Sequence, residues 1–307
     1  MVFCGFSLGG GRPAARTHTG LRTGLCADNI CMVRLSVLLA TNVHPSRLAQ
    51  QAQQVEQAGL AGAWVPDHIG GGGNFSGPWW GALASLQAVL AATNTLPCGT
   101  LVASAVLRPA ATLALETSSL RSMFWPRVVV GVGAGAQQDA AICGAAWPAP
   151  DRLQRYVQDF SGRAPDMPLV VAANTPRNVE VAAAARAGWV TTGRFGAVGT
   201  DKIKYLEVLR RTWDACPPAG PSMVLIDVPE PSPWRGPAAM ADELARYSGL
   251  GFDEVVVFRP DCYAGSIGLS YQQAAELASP GIHELNRGIE KPLSLCGPTA
   301  TGESVRS

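Results

Sequence analysis

The chain has 307 residues, 47% of them hydrophobic and 15% charged, with 24 basic against 23 acidic residues for a formal net charge of +1. That composition is globular, and the length admits a single large α/β domain. A balance this even gives no field to hold a polyanion, and with lysine only at Lys202, Lys204 and Lys291 no cationic stripe is left for nucleic acid, which is excluded as a partner.

In chain order, residues 1–31 are rich in Gly, Arg and Thr, carry no acid before Asp28 and show no helical or strand period. They read as a disordered extension, and Met32 is an alternative start of the folded protein. No continuous apolar stretch marks a secretory signal. From 33 onward, short apolar runs alternate with helical patterns. The strand candidates are 34–40, 62–66, 98–103, 127–133, 168–173, 188–192, 222–228 and 253–258. Several are rich in β-branched residues, such as Val128-Val129-Val130 and Val255-Val256-Val257, and they are nearly all apolar, as strands buried on both faces are. The first helical pattern places Leu48, Ala52, Val55 and Ala58 on one face, opened by Pro45-Ser46 and closed by Gly59. Eight units of roughly 32 residues predict a (β/α)8 TIM barrel over 32–288, with an open doubly wound sheet as the runner-up. Residues 289–307 read as a second disordered tail.

No Asp, Glu, Lys or Arg lies between Asp67 and Arg108, but Gly70 to Gly73, Asn74, Pro78, Asn94, Pro97 and Gly99 break that run into pieces shorter than the roughly 20 residues of a membrane span. No membrane partner is expected. The eight cysteines form no Cys-x-x-Cys pair and no set with histidine at ligand spacing. No metal site and no disulfide framework follow, and a cytoplasmic location fits.

In such a barrel the chemistry lies at the C-terminal ends of the strands. After strand two comes Asp67-His68, an acid beside the one histidine at a strand end; His18, His44 and His283 fall elsewhere. An imidazole titrates near neutral pH and a neighbouring carboxylate can orient it, so the pair is the leading catalytic candidate, against the plainer reading of a turn Asp beside a structural His. After strand four, Gly131-Val132-Gly133-Ala134-Gly135 has the wrong spacing for a dinucleotide fingerprint. Gly133 and Gly135 would let a flat cofactor approach bare backbone, or would simply turn the chain. After strand five, Ala173-Asn174-Thr175-Pro176-Arg177 predicts a helix capped by Thr175 with Pro176 at its first position. Such a helix start can hold a phosphate, although ordinary capping explains it equally. Arg194 after strand six and Arg259 after strand eight could clamp an anionic group, and Trp79 could line an aromatic substrate wall while Trp80 packs.

The serial arrangement of Leu48 to His68 with Glu56-x-Ala58-Gly59 and Asp67-His68, then Gly99-Thr100-Leu101-Val102, Leu107-Arg108-Pro109-Ala110 and Arg127 to Gly135, resembles the luciferase-like monooxygenase superfamily. The segment from Pro168 to Gly193 is similar to that family's cofactor-phosphate region. The resemblance implies a (β/α)8 oxidoreductase using coenzyme F420, or alternatively FMN, on a small organic substrate by hydride transfer or oxygen activation. A homodimer is left open. It also implies a tricyclic ring against Leu101, Val102, Gly133, Ala134 and Gly135, a phosphate near Ala173, Asn174, Thr175, Thr192 and Gly193, a non-prolyl cis peptide at Leu101-Val102, Asp67 in cofactor contact and His68 facing substrate.

Three departures stand out. Ala136 replaces the acid that F420-dependent sugar-phosphate dehydrogenases carry after the glycine stretch. The connection 161–168 is short where the family places an insertion, and Ala172-Ala173-Asn174 is poor in glycine for a phosphate turn. They keep a catalytically impaired cofactor-binding protein of the same fold as the alternative. A third reading, a phosphate-binding barrel with His68 as general base, lacks a strand-end lysine or paired carboxylates.

Overall fold

A computed structural model describes residues 33–69, 79–147, 151–194, 197–217, 220–227, 231–263 and 269–278. The expected tails 1–31 and 289–307, and Gly70 to Gly73, lie outside the described residues. Eight parallel strands close in sequence order, β1 (Arg34–Leu38), β2 (Gly62–Val65), β3 (Cys98–Ser104), β4 (Val128–Gly133), β5 (Leu169–Ala172), β6 (Gly188–Thr191), β7 (Ser222–Ile226) and β8 (Glu254–Phe258). Closure is made by β1 on β8, in register from Arg34 opposite Glu254 to Leu38 opposite Phe258. The fold is therefore the (β/α)8 barrel that the eight buried apolar runs predict. Each strand starts within a residue of its expected position, and most stop one or two residues short of the expected end.

The crossover helices are α1 (Pro45–Gln57), α2 (Ala82–Ala92), α3 (Ala110–Met123), α4 (Gln137–Ile142), α5 (Arg152–Arg163), α6 (Pro176–Ala184), α7 (Gly199–Asp214) and α8 (Pro237–Gly249), with α9 (Tyr271–Ala278) after the last strand. The β4 to β5 crossover holds two helices where the sequence reading has one; α4 is the extra element. In α1 the expected face is the buried one, through Leu48, Ala52 and Val55. His44 caps it by accepting from the Ser46 N–H, and Gly59 ends it at φ 74°, a left-handed conformation that glycine adopts without a steric cost. None of the described helices is long and apolar enough to cross a membrane.

Two carboxylates, Glu254 buried and Glu56 only partly so, fix the end of the barrel opposite the strand C-termini. Glu254 begins β8, accepts from Ser36 Oγ at 2.7 Å and meets Arg34 at 3.2 Å. Burial raises its pKa against the pull of those two partners. Glu56, from the end of α1, turns one oxygen onto the α2 to β3 loop, where it accepts from the backbone N–H groups of Asn94, Thr95 and Leu96 at 2.7 to 3.0 Å and from the Thr95 hydroxyl at 3.1 Å. Partial burial pushes its carboxyl up, but these donors outweigh it and hold the group below its ordinary value.

A carboxyl depressed in the folded state adds stability above its unfolded value, about pH 4.3, and that stability disappears as pH falls through the lower folded value. Glu56→Gln keeps the shape and removes the charge. Urea unfolding at pH 7 should show a loss of about 1–2 kcal/mol, with the gap to the parent protein narrowing as the pH drops below about 4. A gap that stays constant down to pH 3 would refute the charge as its origin.

Candidate active site

β2 runs out at Val65, and Pro66 carries the chain in extended form to Asp67 and His68. Consecutive side chains of an extended chain point to opposite sides. Asp67, 4% exposed, therefore turns toward the end of β3, away from its neighbour's ring. There it accepts from Arg108 in a two-pronged contact, Nε to Oδ2 at 2.8 Å and Nη2 to Oδ1 at 3.0 Å, and from the Ser104 backbone N–H at 3.1 Å. Burial works against the Arg108 charge, but Asp67, with Glu116 behind it, outweighs burial and holds the guanidinium above its usual range. The expectation of an Asp67-His68 acid and imidazole pair is thus corrected. The acid of the pair ties the β2 end to the β3 end.

The partner of His68 comes from another crossover. Its Nδ1 lies 2.9 Å from Asp139 Oδ2, and the other oxygen of Asp139 accepts from the Ile69 N–H at 3.2 Å. Asp139 sits in the first turn of α4 and is fully buried, whereas the His68 side chain is 36% exposed. With a carboxylate accepting at Nδ1, that nitrogen carries the hydrogen, and Nε2 is the ring atom left to take or give a proton. Trp79 stands edge-on to the imidazole, 5.7 Å between ring centres and 89° between planes. It therefore packs against His68. Trp80 packs instead on His44, and its backbone N–H bonds Thr41 O. Asp139 was not among the expected site residues. Its signal in the sequence is faint, an acid three residues past Ala136 at a helix start, which dipole complementarity alone would explain.

At the end of β3 the pairing with β4 slips between Thr100 and Ala103, and the Thr100 hydroxyl bridges the slip by bonding both N–H and C=O of Gly131. The Leu101-Val102 peptide bond within the slip is cis, at the position expected. Leu101 is buried and Val102 is partly exposed. The glycines opposite have a different reason from the one expected. A Cβ on Gly133 would stand 2.6 Å from Val102 Cγ2, and one on Gly135, at φ 93°, would meet Val106 Cγ2 at 2.5 Å. Protein side chains occupy the space that a bare backbone was expected to offer a cofactor. Ala134 is partly exposed beside them.

At the ends of β5 and β6, Asn174 joins the two strands: its Oδ1 accepts from the Thr191 hydroxyl at 2.7 Å and the Thr192 N–H at 3.1 Å, and its Nδ2 donates to Thr192 Oγ1. Thr175 caps α6 by accepting from the Asn178 N–H, with Pro176 at the first helical position, and Ala173 is buried beneath. Gly193, at φ 83°, closes the β6 turn by donating its N–H to Thr191 Oγ1. What is left to donate here suits a phosphate: the hydroxyls of Thr175 and Thr192 and the Arg177 backbone N–H, with no carboxylate between 172 and 178 or between 191 and 194. The expected arginines do not join it. Arg177 reaches out to Asp151. Arg259, 2% exposed, is held by Asn42 at 2.6 Å and by Asp261, which also meets Arg47 at 3.5 Å. Arg194 is exposed against α7. The expected Arg194 and Arg259 clamp is therefore corrected, because a buried guanidinium satisfies itself on the nearest acid and amide. Among the described residues no group of three or more His, Cys, Asp or Glu could hold a metal ion.

Comparison with known proteins agrees with this geometry. Residues 29–157 match the luciferase-like monooxygenase family. An F420-dependent glucose-6-phosphate dehydrogenase of Nakamurella multipartita is 31% identical over 121 residues, covering 37% of this chain and 33% of the relative. The fold is shared with an F420-dependent secondary alcohol dehydrogenase solved with an F420-acetone adduct, at TM-score 0.63 and 16% identity over 80% of this chain and 97% of that one. It is also shared with the oxygenating constituent of 3,6-diketocamphane monooxygenase from the CAM plasmid of Pseudomonas putida, solved with FMN, at TM-score 0.60 and 13% identity over 82% and 99% of the two chains.

Two substitutions test the packing reading. Gly133→Ala should destabilise the fold by about 1–3 kcal/mol in urea unfolding, and adding Val102→Ala should recover most of the loss. No recovery would point to something other than Val102 as the obstacle. Asp67→Ala strands a half-buried guanidinium and should cost about 3 kcal/mol or more, whereas Asp67→Ala with Arg108→Met should cost clearly less than the single change.

Proposed function

We propose that this chain, whose residues 29–157 match the luciferase-like monooxygenases, is an oxidoreductase that uses coenzyme F420, with FMN as the alternative, on a small organic substrate. The observation that carries the reading is the imidazole of His68, backed by a buried carboxylate and flanked by Trp79, at the strand-end rim where Val102 is partly exposed. Leu101, Val102 and Ala134 offer an apolar seat for a flat ring. Asn174, Thr175, Thr192 and Gly193 offer the donors for its phosphate. A bound deazaflavin or flavin would supply the hydride transfer that no side chain can perform.

The protein's own share is proton handling and positioning. Asp139 fixes the imidazole tautomer and plane, so that Nε2 accepts a proton from an alcohol, or returns one to a carbonyl, without reorienting. The same contact holds the ring in one position whether or not Nε2 carries a proton. Trp79 restricts the ring's tilt and excludes solvent from one side. Asp67 acts further back: with Arg108 and the Ser104 N–H it holds the β3 end at a set distance from the β2 end, and so sets how far the imidazole stands from Val102. Ala136 leaves the rim without the acid that sugar-phosphate dehydrogenases carry, and Asp139, committed to His68, does not replace it as a free proton donor. A substrate whose proton passes through His68 alone is favoured, for instance a simple secondary alcohol or the matching ketone.

The test is binding first and turnover second. Full-length protein titrated with F420 and, separately, with FMN should quench the fluorescence of one of them with saturation; binding of neither overturns the reading. His68→Ala should leave that affinity nearly intact and remove turnover of alcohols or ketones that the parent protein oxidises or reduces. Asp139→Asn should bind cofactor normally and lower kcat about a hundredfold. Loss of cofactor affinity in His68→Ala would reassign the imidazole to the cofactor.

A further inference from the structure

On the His68 side, the strand-end rim holds large apolar side chains out in water. Ile69 is 46% exposed, Ile142 60% and Trp147 39%. They belong to one piece of the structure. The Ile69 N–H is held by Asp139 Oδ1, Ile142 stands one turn after Asp139 on α4, and Trp147 lies in the connection from α4 to α5. Isolated apolar side chains on a surface are ordinary, but a group of them beside a candidate site marks a contact surface.

The charges next to this group have a sign that helix stability does not explain. A helix start carries partial positive charge and is stabilised by acids, yet α5 opens on Arg152 and Arg155. Its flanking acid, Asp151, makes no capping bond and is drawn off to Arg177 at the start of α6. Neither Arg152 nor Arg155 has an acid partner among the described residues. Arg152 donates to the Ala146 carbonyl and stands 5.9 Å from the centre of the Trp147 ring, and Arg155 is exposed. The segment from 139 to 155 therefore presents apolar tips on one side and two uncompensated guanidinium groups on the other.

We propose that this segment docks the protein on an anionic lipid surface, with Ile69, Ile142 and Trp147 entering the headgroup layer and Arg152 and Arg155 lying against lipid phosphates. Tryptophan is at home at headgroup depth, where its ring is half in apolar and half in polar surroundings, and arginine beside it matches the negative surface potential. Separate protruding tips favour a bilayer over a protein partner, because a bilayer yields around each tip whereas a protein would need a pocket cut for each. The sequence argument against a membrane partner concerns spans. A surface contact requires none, and it agrees with the lack of a long apolar helix among the described residues. Docked in this way, the rim that bears His68 faces the bilayer. The contact does not depend on which cofactor is bound.

The experiment is cosedimentation of the full-length protein, at low and high salt, with vesicles of phosphatidylcholine alone and of phosphatidylcholine containing about one third phosphatidylglycerol. The parent should bind the anionic vesicles about tenfold or more tightly than the neutral ones, with the preference shrinking as salt rises. The double variant Arg152→Gln, Arg155→Gln should lose most of that preference. Ile142→Ser with Trp147→Ser should weaken binding to both kinds of vesicle. No binding by the parent, equal binding to the two kinds of vesicle, or binding that both double variants leave unchanged overturns the proposal. So does a parent that ignores vesicles and sediments as a dimer that Ile142→Ser with Trp147→Ser dissociates, which would give the face to a second copy of the chain. Circular dichroism on each variant separates a lost contact from a lost fold, and titration with F420 and FMN reports on the oxidoreductase reading separately.

Discussion

A carboxylate taken out of water must find partners, and Asp67 finds three donors at once on the far side of a strand boundary. The guanidinium of Arg108 and the N–H of Ser104 close on it with two charge-assisted contacts and one backbone bond. That clasp decides the rest of the rim. It fixes the β2 end against the β3 end at the place where pairing with β4 is irregular, and it uses up the acid next to His68, so the imidazole must be served from elsewhere. Asp139 serves it from the β4 to β5 crossover. Three successive crossovers are tied together by two carboxylates, neither of which reaches solvent.

The barrel was legible because its signal is collective. A parallel strand covered on both faces must be apolar throughout, and eight such runs at even spacing leave few architectures. Strand ends were read slightly long because Leu39 and Ala40, for example, stay buried after the ladder stops. The starts of α1 and α6, and the Thr175 cap of α6, were legible for a different reason. Pro at the first helical position preceded by a side-chain acceptor is a local motif, and no tertiary context is needed to make it fold that way.

At the strand-end rim the sequence singled out residues and not their contacts. Asp67 and His68 are neighbours in sequence, but an extended chain sends neighbours in opposite directions, and adjacency misled where spacing of two would not have. Asp139 was hidden because its helix is only six residues long, too few turns to show a period. Gly133 and Gly135 were correctly singled out for missing side chains, yet the sequence does not say whether a ligand or Val102 and Val106 fill the vacancy. The arginines failed most plainly. A charged residue at a strand end predicts that it must be neutralised, and both Arg177 and Arg259 found local acids before any ligand was needed.

The split of imidazole and acid between two crossovers has a bearing on how such a barrel can be remade. Barrel enzymes are commonly diversified by grafting one loop at a time, on the view that each strand and its following helix form an independent cassette. Here the cassette bearing His68 is incomplete without the one bearing Asp139, so a chimera exchanging either alone would inherit an imidazole with no anchor or a sunken charge with no counterpart. The two segments behave as one heritable unit, and natural or laboratory recombination would preserve the rim only by moving them together.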